Sequence, residues 1–237
     1  MTDHVTPDVA PLAEYQNGIC MAGAGGARPD LPITPDAMEA RAREVLDAEA
    51  FGYVAGGAGS EDTMRANREA FRRWRIVPRM LVDVQHRDLS VDMLGARLPA
   101  PVLLAPIGVQ GILRPDDARR AIDHGADAIV VSNHGGRQVD GAIAALDALP
   151  DVVEAVGGIV PVLFDSGIRT GADAFKAIAL GARAVLLGRP HAWGLAVGGQ
   201  RGIEHVLRSF LAELDLTLAL SGYASVADVD RDALRRI

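Results

Sequence analysis

The chain has 237 residues, of which 49% are hydrophobic and only 4% aromatic. This length and composition allow a buried core and exclude a disordered protein. The 31 acidic and 24 basic residues give a formal net charge of -7. Because the charges are interspersed, the chain has no basic stripe for nucleic acid. No apolar run approaches the roughly 18 residues of a membrane span, and no signal-peptide pattern opens the chain. We expect a cytoplasmic protein with neither nucleic acid nor membrane as a partner.

The N-terminal part divides into an arm and a helical segment. Residues 1–34 are rich in proline, glycine and alanine without a sustained period, which predicts a flexible arm ahead of one domain over residues 35–237. Thr34 followed by Pro35 predicts a helix start, and apolar spacing continues that helix until the Gly56-Gly57 pair. A second helix is predicted to begin near Ser60 and to end before Pro78.

The second half of the chain alternates short apolar runs with helical patterns, which is typical of βα units around a parallel sheet. The apolar runs are residues 102–105, 128–131, 160–164 and 184–187. A complete eight-fold barrel takes about 250 residues, whereas the chain from Pro101 has room for about four units of roughly 30 residues. We predict an α/β fold: an incomplete (β/α) TIM-barrel-like fold with about four parallel βα units and an N-terminal helical segment. Helices near residues 202–215 and 226–234 are predicted to close it.

A polar loop, Ser132 to Gln138, follows the second apolar run. His134 titrates near neutrality and can accept a proton, and Arg137 presents a planar fork that suits a carboxylate. Two glycines between them let the backbone bring both groups to one ligand. These residues predict a site that binds and deprotonates a hydroxy acid. The alternative is that these residues form a polar turn in which the glycines are needed only for the conformation of the backbone.

Two further loops indicate a phosphate site. Residues 165–171 follow the third run and Gly188-Arg189-Pro190 the fourth, and both loops are rich in glycine and open a helix. Loops after the last strands of such barrels bind phosphate through backbone N–H groups and a helix N-terminus. The alternative is that Thr170 only caps a helix while Arg169 and Arg189 are solvated at the surface.

The remaining candidates are weaker. Tyr53 precedes a glycine turn, where a lone tyrosine is usually a core aromatic with a hydrogen-bonded hydroxyl. The one cysteine, Cys20, cannot form an internal disulfide. Neither it nor five histidines show a metal-ligand spacing, so no metal is predicted; these histidines are His4, His86, His124, His191 and His205.

Seven motifs in this order resemble the FMN-dependent 2-hydroxy-acid oxidases and dehydrogenases, and within that family the lactate 2-monooxygenase branch most of all. The similarity covers nearly the whole chain from about Tyr15. The motifs are Tyr53 to Gly57, Arg65-Ala66-Asn67, Pro78 to Leu81, Ala105 to Gly108, Ser132 to Gln138, Asp165 to Gly171 and Gly188-Arg189-Pro190.

The resemblance implies a role for each candidate. His134 takes the proton of the 2-hydroxyl as the hydride equivalent passes to the flavin, while Arg137 and Tyr53 bind the substrate carboxylate, which replaces the core-aromatic interpretation of Tyr53. The residues implied for FMN binding are Ala105, Pro106, Ile107, Gln110, Ser132, Asp165, Gly167, Arg169, Gly188 and Arg189.

The chain departs from the family in its middle. Ala105 to Ile112 runs directly into Arg114-Pro115, whereas the family has four more βα units there, with a second substrate-binding arginine and an active-site tyrosine. Gln110 falls where the family has a lysine that faces the flavin, a type of interaction worth about 3 kcal/mol. Open edges of a four-strand sheet invite pairing with another chain, so we predict either that two chains associate or that the fold rearranges.

These observations predict FMN-dependent oxidation of a small, lactate-like 2-hydroxy acid, with oxygen or another electron acceptor. A rival interpretation is a non-catalytic half-barrel that binds flavin or phosphate, which the missing segment and Gln110 favour. A third interpretation is a different phosphate-binding barrel enzyme, such as a dehydrogenase of nucleotides. Such an enzyme would need a catalytic cysteine loop. Cys20 in the arm does not provide one.

Overall fold

The computed structural model describes residues 12–105 and 111–237, in which helices dominate the first part and strands alternate with helices in the second. The helices are α1 (Glu14–Ala24), α2 (Pro35–Val45), α3 (Ala48–Ala55), α4 (Asp62–Arg72), α5 (Pro115–Asp123), α6 (Ala145–Val156), α7 (Gly171–Ala179) and α8 (Arg189–Ser221). The strands are β1 (Trp74–Ile76), β2 (Val91–Met93), β3 (Ala96–Leu98), β4 (Val102–Leu104), β5 (Ile129–Val131), β6 (Val162–Phe164), β7 (Ala184–Leu187) and β8 (Leu234–Arg236). The predictions for Pro106, Ile107 and Gln110 concern residues outside the described ranges.

Part of the predicted arm forms helix α1, which the sequence pattern did not indicate. The backbone N–H of Ala13 donates to Oδ2 of Asp215 at 2.9 Å. The Tyr15 hydroxyl hydrogen-bonds Nδ1 of His205 at 2.7 Å. Both partners lie on α8, so these bonds attach α1 to the long C-terminal helix. The flexibility of residues 1–34 stays a prediction.

The single helix predicted after Thr34 is in fact two, α2 and α3. Its start is as predicted, because Oγ1 of Thr34 accepts the N–H of Ala37 at 3.2 Å. The chain becomes extended at Leu46, and Oδ1 of Asp47 accepts the N–H of Ala50 at 2.7 Å, which begins α3. Asp side chains compete in this way with helix continuation and favour caps.

The predicted helix near residues 226–234 is wrong. Two short 3-10 turns, Val226–Asp228 and Arg231–Ala233, occupy this stretch, and strand β8 follows. The side chains of Ser225 and Asp230 each accept a backbone N–H two residues further on, so each residue begins a short local turn. Strand β8 then pairs antiparallel with β1, with Trp74 opposite Arg236.

All four predicted apolar runs form strands of one parallel sheet, in the order β4-β7-β6-β5. The register places Val102 opposite Val185 and Ile129 opposite Val162. Ile112 forms an isolated parallel bridge with Val131, at the outer edge of β5. Among the described residues, β4 pairs with β7 alone. The prediction of an incomplete α/β barrel is therefore confirmed.

The sheet has two faces with different packing partners. One face joins the main core, in which Val131, Phe164, Val185 and Leu187 are fully buried with helices α6 and α7. On the other face, Leu163 and Leu186 pack with Met93 of the β2-β3 hairpin. No helix within residues 12–105 and 111–237 combines the length and apolar character needed to cross a bilayer.

Candidate active site

The loops that follow the strands of the parallel sheet line one cavity of about 420 Å³. Nine of the predicted site residues contribute to its wall, although they come from five separate stretches of sequence. They are Tyr53, Ala105, His134, Arg137, Asp165, Gly167, Arg169, Gly188 and Arg189. Ser132 reaches the same site through Asp165, to which its hydroxyl donates a hydrogen bond. The structure thus brings together every predicted site residue that it describes.

His134 lies in a tight loop directly after β5 and has a positive φ of 55°. Its backbone N–H donates to Oγ of Ser132 at 3.0 Å. The following residue, Gly135, donates its N–H to Oγ of Ser166 at 3.0 Å. On the ring side, the N–H of Gly111 donates to Nε2 of His134 at 3.2 Å. The imidazole therefore accepts a hydrogen bond at Nε2, which places the proton of the neutral ring on Nδ1.

Asp165 lies behind this loop and joins it to the next. The hydroxyls of Ser132 and Ser166 both donate to its Oδ1. Burial raises the pKa of Asp165, while the two serine hydrogen bonds and the nearby His134 oppose the rise. Through this one oxygen, the Asp165 carboxyl group links the loop after β5 to the loop after β6.

Arg137 and Tyr53 lie side by side at the rim of the cavity. The Arg137 guanidinium carbon lies 5.0 Å from the centre of the Tyr53 ring, a cation–π arrangement. Nη1 of Arg137 donates to the carbonyl of Val54 at 3.2 Å. Tyr53 is 70% exposed, so it is not the core aromatic that a lone tyrosine usually is. A planar fork beside a phenol suits a small carboxylate.

A phosphate site is predicted at the N-termini of two helices, α7 and α8, and these two N-termini differ in how they are capped. At α7 the Thr170 side chain accepts the N–H of Asp173, and Asp173 accepts the N–H of Thr170 in return, so that end is capped by its own residues. At α8 the N-cap residue is Gly188, which provides no side-chain cap. The uncapped start of α8 lines the cavity, and free N–H groups at a helix N-terminus bind anions.

Positive charge gathers beside the start of α8. Burial lowers the pKa of Arg169 to about 10, with further lowering by the charges of Arg68 and Arg189. Burial also lowers the pKa of Arg189, and the charge of Arg137 adds to the effect. Crowded, half-buried guanidinium groups are stabilised by an anion, because an opposite charge favours their charged form. This part of the cavity fits a phosphate group.

Arg189 connects the end of helix α3 to the His134 loop through three backbone carbonyls. Its Nε donates to Val54 at 3.0 Å, its Nη2 to Gly56 at 2.8 Å and its Nη1 to Gly135 at 3.0 Å. The interpretation of Arg189 as a solvated surface residue is therefore wrong. The suggestion that Thr170 caps a helix is confirmed, and this cap is compatible with anion binding at the uncapped start of α8.

The sequence analysis missed Arg68, which holds the loop of residues 165–171 from outside the sheet. Its Nη1 donates to the carbonyl of Gly167 and to Oδ2 of Asp173, the second at 3.0 Å. Asp173 also accepts the backbone N–H of Arg169 at 3.0 Å. No local pattern could have indicated these contacts, since Arg68 and Asp173 are 105 positions apart.

A family model described as FMN-dependent dehydrogenase matches residues 42–116 and 109–236. The chain belongs to this family. The match falls into two stretches that meet at residues 109–116, where the sequence comparison with the family places the missing middle. The family prediction made from the motifs is confirmed.

Curated relatives include an FMN-dependent alpha-hydroxy acid dehydrogenase, qulF, of Penicillium citrinum. It is 30% identical over 387 aligned residues, which cover 95% of this chain and 96% of the relative. Because that alignment is longer than the chain, it contains a long gap. An L-lactate oxidase of Nostoc sp. is 58% identical over 129 residues, and 2-hydroxyacid oxidase 1 of Homo sapiens is 51% identical over 131. The chain matches only 35% of the length of each of these two proteins.

Solved structures of mandelate oxidase share the fold. One has a TM-score of 0.81 at 27% identity, with 87% of this chain and 98% of that chain covered. Another, determined with 3,3-difluoro-2-hydroxy-3-phenylpropionic acid, has a TM-score of 0.81 at 28% identity, with 87% and 99% covered. The shared fold places the cavity at the carboxyl ends of the strands, where barrel enzymes carry their active sites.

Proposed function

We propose that this chain binds FMN and oxidises a small, lactate-like 2-hydroxy acid. One observation carries the proposal: a proton acceptor, a pair of carboxylate-binding side chains and an anion site line the same cavity. FMN is the cofactor of the family to which the chain belongs. The relatives named as lactate oxidase and 2-hydroxyacid oxidase support the substrate class.

The anion site is where the chain would hold the FMN phosphate. The start of α8 at Gly188 offers backbone N–H groups, and Arg169 and Arg189 offer charge. Ala105 lines the same cavity and would lie against the flavin ring. When bound, FMN supplies the acceptor for the hydride equivalent that leaves the substrate carbon.

The substrate would bind at the other wall of the cavity. Arg137 and Tyr53 would hold the carboxylate and so fix which face of the 2-carbon is presented. His134 would take the hydroxyl proton as general base. The relatives named as L-lactate oxidase support a substrate with a small carbon side chain, and oxygen or another acceptor would reoxidise the cofactor. Placement in the lactate 2-monooxygenase branch stays a prediction.

A second candidate function is flavin or phosphate binding without turnover. The specific observation in its favour is the hydrogen bond from the Gly111 N–H to Nε2 of His134 at 3.2 Å. That bond occupies the lone pair a general base would need. Gly111 directly follows Gln110, which stands where the family has a lysine.

The deciding experiment is the visible spectrum of the FMN-reconstituted protein before and after anaerobic addition of L-lactate. Bleaching of bound flavin, abolished in His134→Gln with FMN still retained, is the expected result. Retained but unbleached flavin would establish the binding function instead. A protein that retains no flavin would contradict both the oxidation and the flavin-binding function.

We also propose that two chains associate. Within residues 12–105 and 111–237, strand β4 has β7 as its one sheet neighbour, and Leu104 on β4 is 48% exposed. Open parallel edges pair readily with other chains. Light scattering over a dilution series should show a mass that falls towards the monomer as the protein is diluted; a well-folded monomer at all concentrations would contradict association.

A further inference from the structure

Two buried asparagines join helix α4 to the loop that carries His134. Nδ2 of Asn67 donates to Oδ1 of Asn133 at 2.7 Å, and Nδ2 of Asn133 donates to Oδ1 of Asn67 at 2.9 Å. Asn67 is 1% exposed and Asn133 is 5% exposed. Asn133 directly precedes the proposed base, whereas Asn67 lies 66 positions earlier in the N-terminal helical segment.

Backbone groups fix the orientation of both amides. The N–H of Ala145 donates to Oδ1 of Asn67 at 3.0 Å, and the N–H of Gly136 donates to Oδ1 of Asn133 at 3.1 Å. Nδ2 of Asn133 also donates to the carbonyl of Ile143 at 3.1 Å. Rotation of either amide by half a turn would place an NH₂ group against a backbone N–H. The pair therefore has one arrangement that satisfies its donors and acceptors.

The far end of the same loop is also held by the start of α4. Oδ1 of Asp140 accepts the N–H of Thr63 at 3.2 Å, and Oδ2 accepts the N–H of Ser60 at 2.6 Å. The hydroxyl of Thr63 donates to the carbonyl of Val139 at 2.9 Å. The loop from Asn133 to Asp140 is thus built against a helix that belongs to no βα unit.

We propose that Asn67 is a positioning residue for His134, acting through Asn133. The inference deepens the proposed function, on which it rests for the role of His134 as base. Asn67 does not itself line the cavity. It sets the backbone on both sides of His134, because Asn133 and Gly136 flank that residue and both are bonded into the amide pair.

Asn67→Asp is the sharpest variant, because it keeps the shape and the oxygen that Ala145 and Asn133 use. It removes the donor to Oδ1 of Asn133 and puts an oxygen there instead. Asn133 cannot turn to compensate without losing Gly136. The loop must therefore move. Glu69→Gln, an exposed change on the same helix, is the matched control.

The primary readout is the NMR spectrum of the ¹⁵N-histidine-labelled full chain, with the His134 signals assigned from their loss in His134→Gln. In Asn67→Asp the ring ¹⁵N shifts of His134 should change, while those of exposed His86 and His124 stay constant. Glu69→Gln should leave all of them unchanged. A folded Asn67→Asp protein with unaltered His134 signals would overturn the proposal. If that variant does not fold, Asn67→Ser provides the same comparison.

A second readout is the rate of anaerobic flavin bleaching at saturating L-lactate. A displaced base should slow it by about 100-fold, with the dissociation constant of FMN nearly unchanged, whereas a purely structural role would leave the rate of the folded fraction as it was. If the wild-type flavin does not bleach at all, the proposed function fails. The NMR comparison then still decides the role of Asn67.

Discussion

Gly136 lies so close to Met64 that a Cβ on Gly136 would stand 2.6 Å from the backbone nitrogen of Met64. The φ of Gly136 is +78°, in the region that favours glycine. A side chain here would meet both a clash and backbone strain. This close contact between the loop of residues 133–140 and helix α4 leads to the first prediction.

Gly136→Ala should lower the free energy of unfolding by about 3 kcal/mol or more, from the sum of left-handed strain and overpacking. Gly141→Ala is the matched control, since Gly141 has a φ of +76° with nothing within 4 Å of the added Cβ. It should lose only about 1 to 2 kcal/mol, the cost of strain alone. Urea denaturation measures both, and equal losses would show that the contact with Met64 does not matter.

Asp140 should make the protein acid-sensitive in a defined window. Hydrogen bonds, first from the Ser60 hydroxyl, lower the pKa of Asp140 from 3.8 to about 2. Because the folded pKa lies below the unfolded one, the stabilisation is present above about pH 4 and is lost as the pH falls towards 2. Asp140→Asn should therefore lose less stability than wild type between pH 4 and pH 2.

The measurement is the urea midpoint at a series of pH values through that window. Asp151→Asn, at an exposed position on α6, should follow the wild-type curve. Parallel curves for wild type and Asp140→Asn would mean that Asp140 does not contribute to the acid response.

Arg189→Lys should weaken FMN binding although it keeps the charge. The guanidinium spans the carbonyls of Val54, Gly56 and Gly135, and an ammonium group cannot hold three such directions at once. Loss of hydrogen bonds to a charged group predicts an increase of about tenfold or more in the dissociation constant. Quenching of FMN fluorescence measures it, and the exposed Arg183→Lys serves as control. Unchanged affinity would remove Arg189 from the cofactor site.

Asp173→Ala should be more damaging than loss of an ordinary helix cap. Asp173 accepts the N–H groups of Arg169 and Thr170 and pairs with Arg68, whose side chain is 33% exposed. Loss of this network should lower the free energy of unfolding by about 3 kcal/mol. Asp47→Ala removes an exposed cap of α3 and should cost about 1 kcal/mol. Similar losses in thermal or urea unfolding would count against the network.

The strands of the sheet could be predicted from sequence because buried parallel strands appear as continuous apolar runs, as in residues 184–187. The β2-β3 hairpin gave no such signal, since each strand has only three residues and three of the six side chains are exposed. Its turn depends on positive φ at Leu94 and Gly95, and a leucine does not indicate that conformation. The break at Asp47 was missed because the apolar spacing runs across it.

The candidate site was predictable to the extent that its chemistry lies in loops after strands. His134 and Arg137 lie in the loop that directly follows the apolar run of residues 128–131, and Gly188 directly follows the run of residues 184–187. What the sequence could not indicate is how these loops are held. Asn67 and Arg68 act on partners 66 and 99 positions away, and only the folded backbone brings helix α4 to them.

The pairing of β4 with β7 explains how so large an excision leaves an ordered sheet. A closed barrel is a ring, in which the first and last strands are neighbours. Removing a run of consecutive strands from a ring leaves a single arc, whose members keep the neighbours they had. Strand β4, from before the junction, therefore still finds its place beside β7, from near the end of the chain. The same excision from the middle of a meander, where neighbours follow chain order, would leave two sheet fragments with a gap between them.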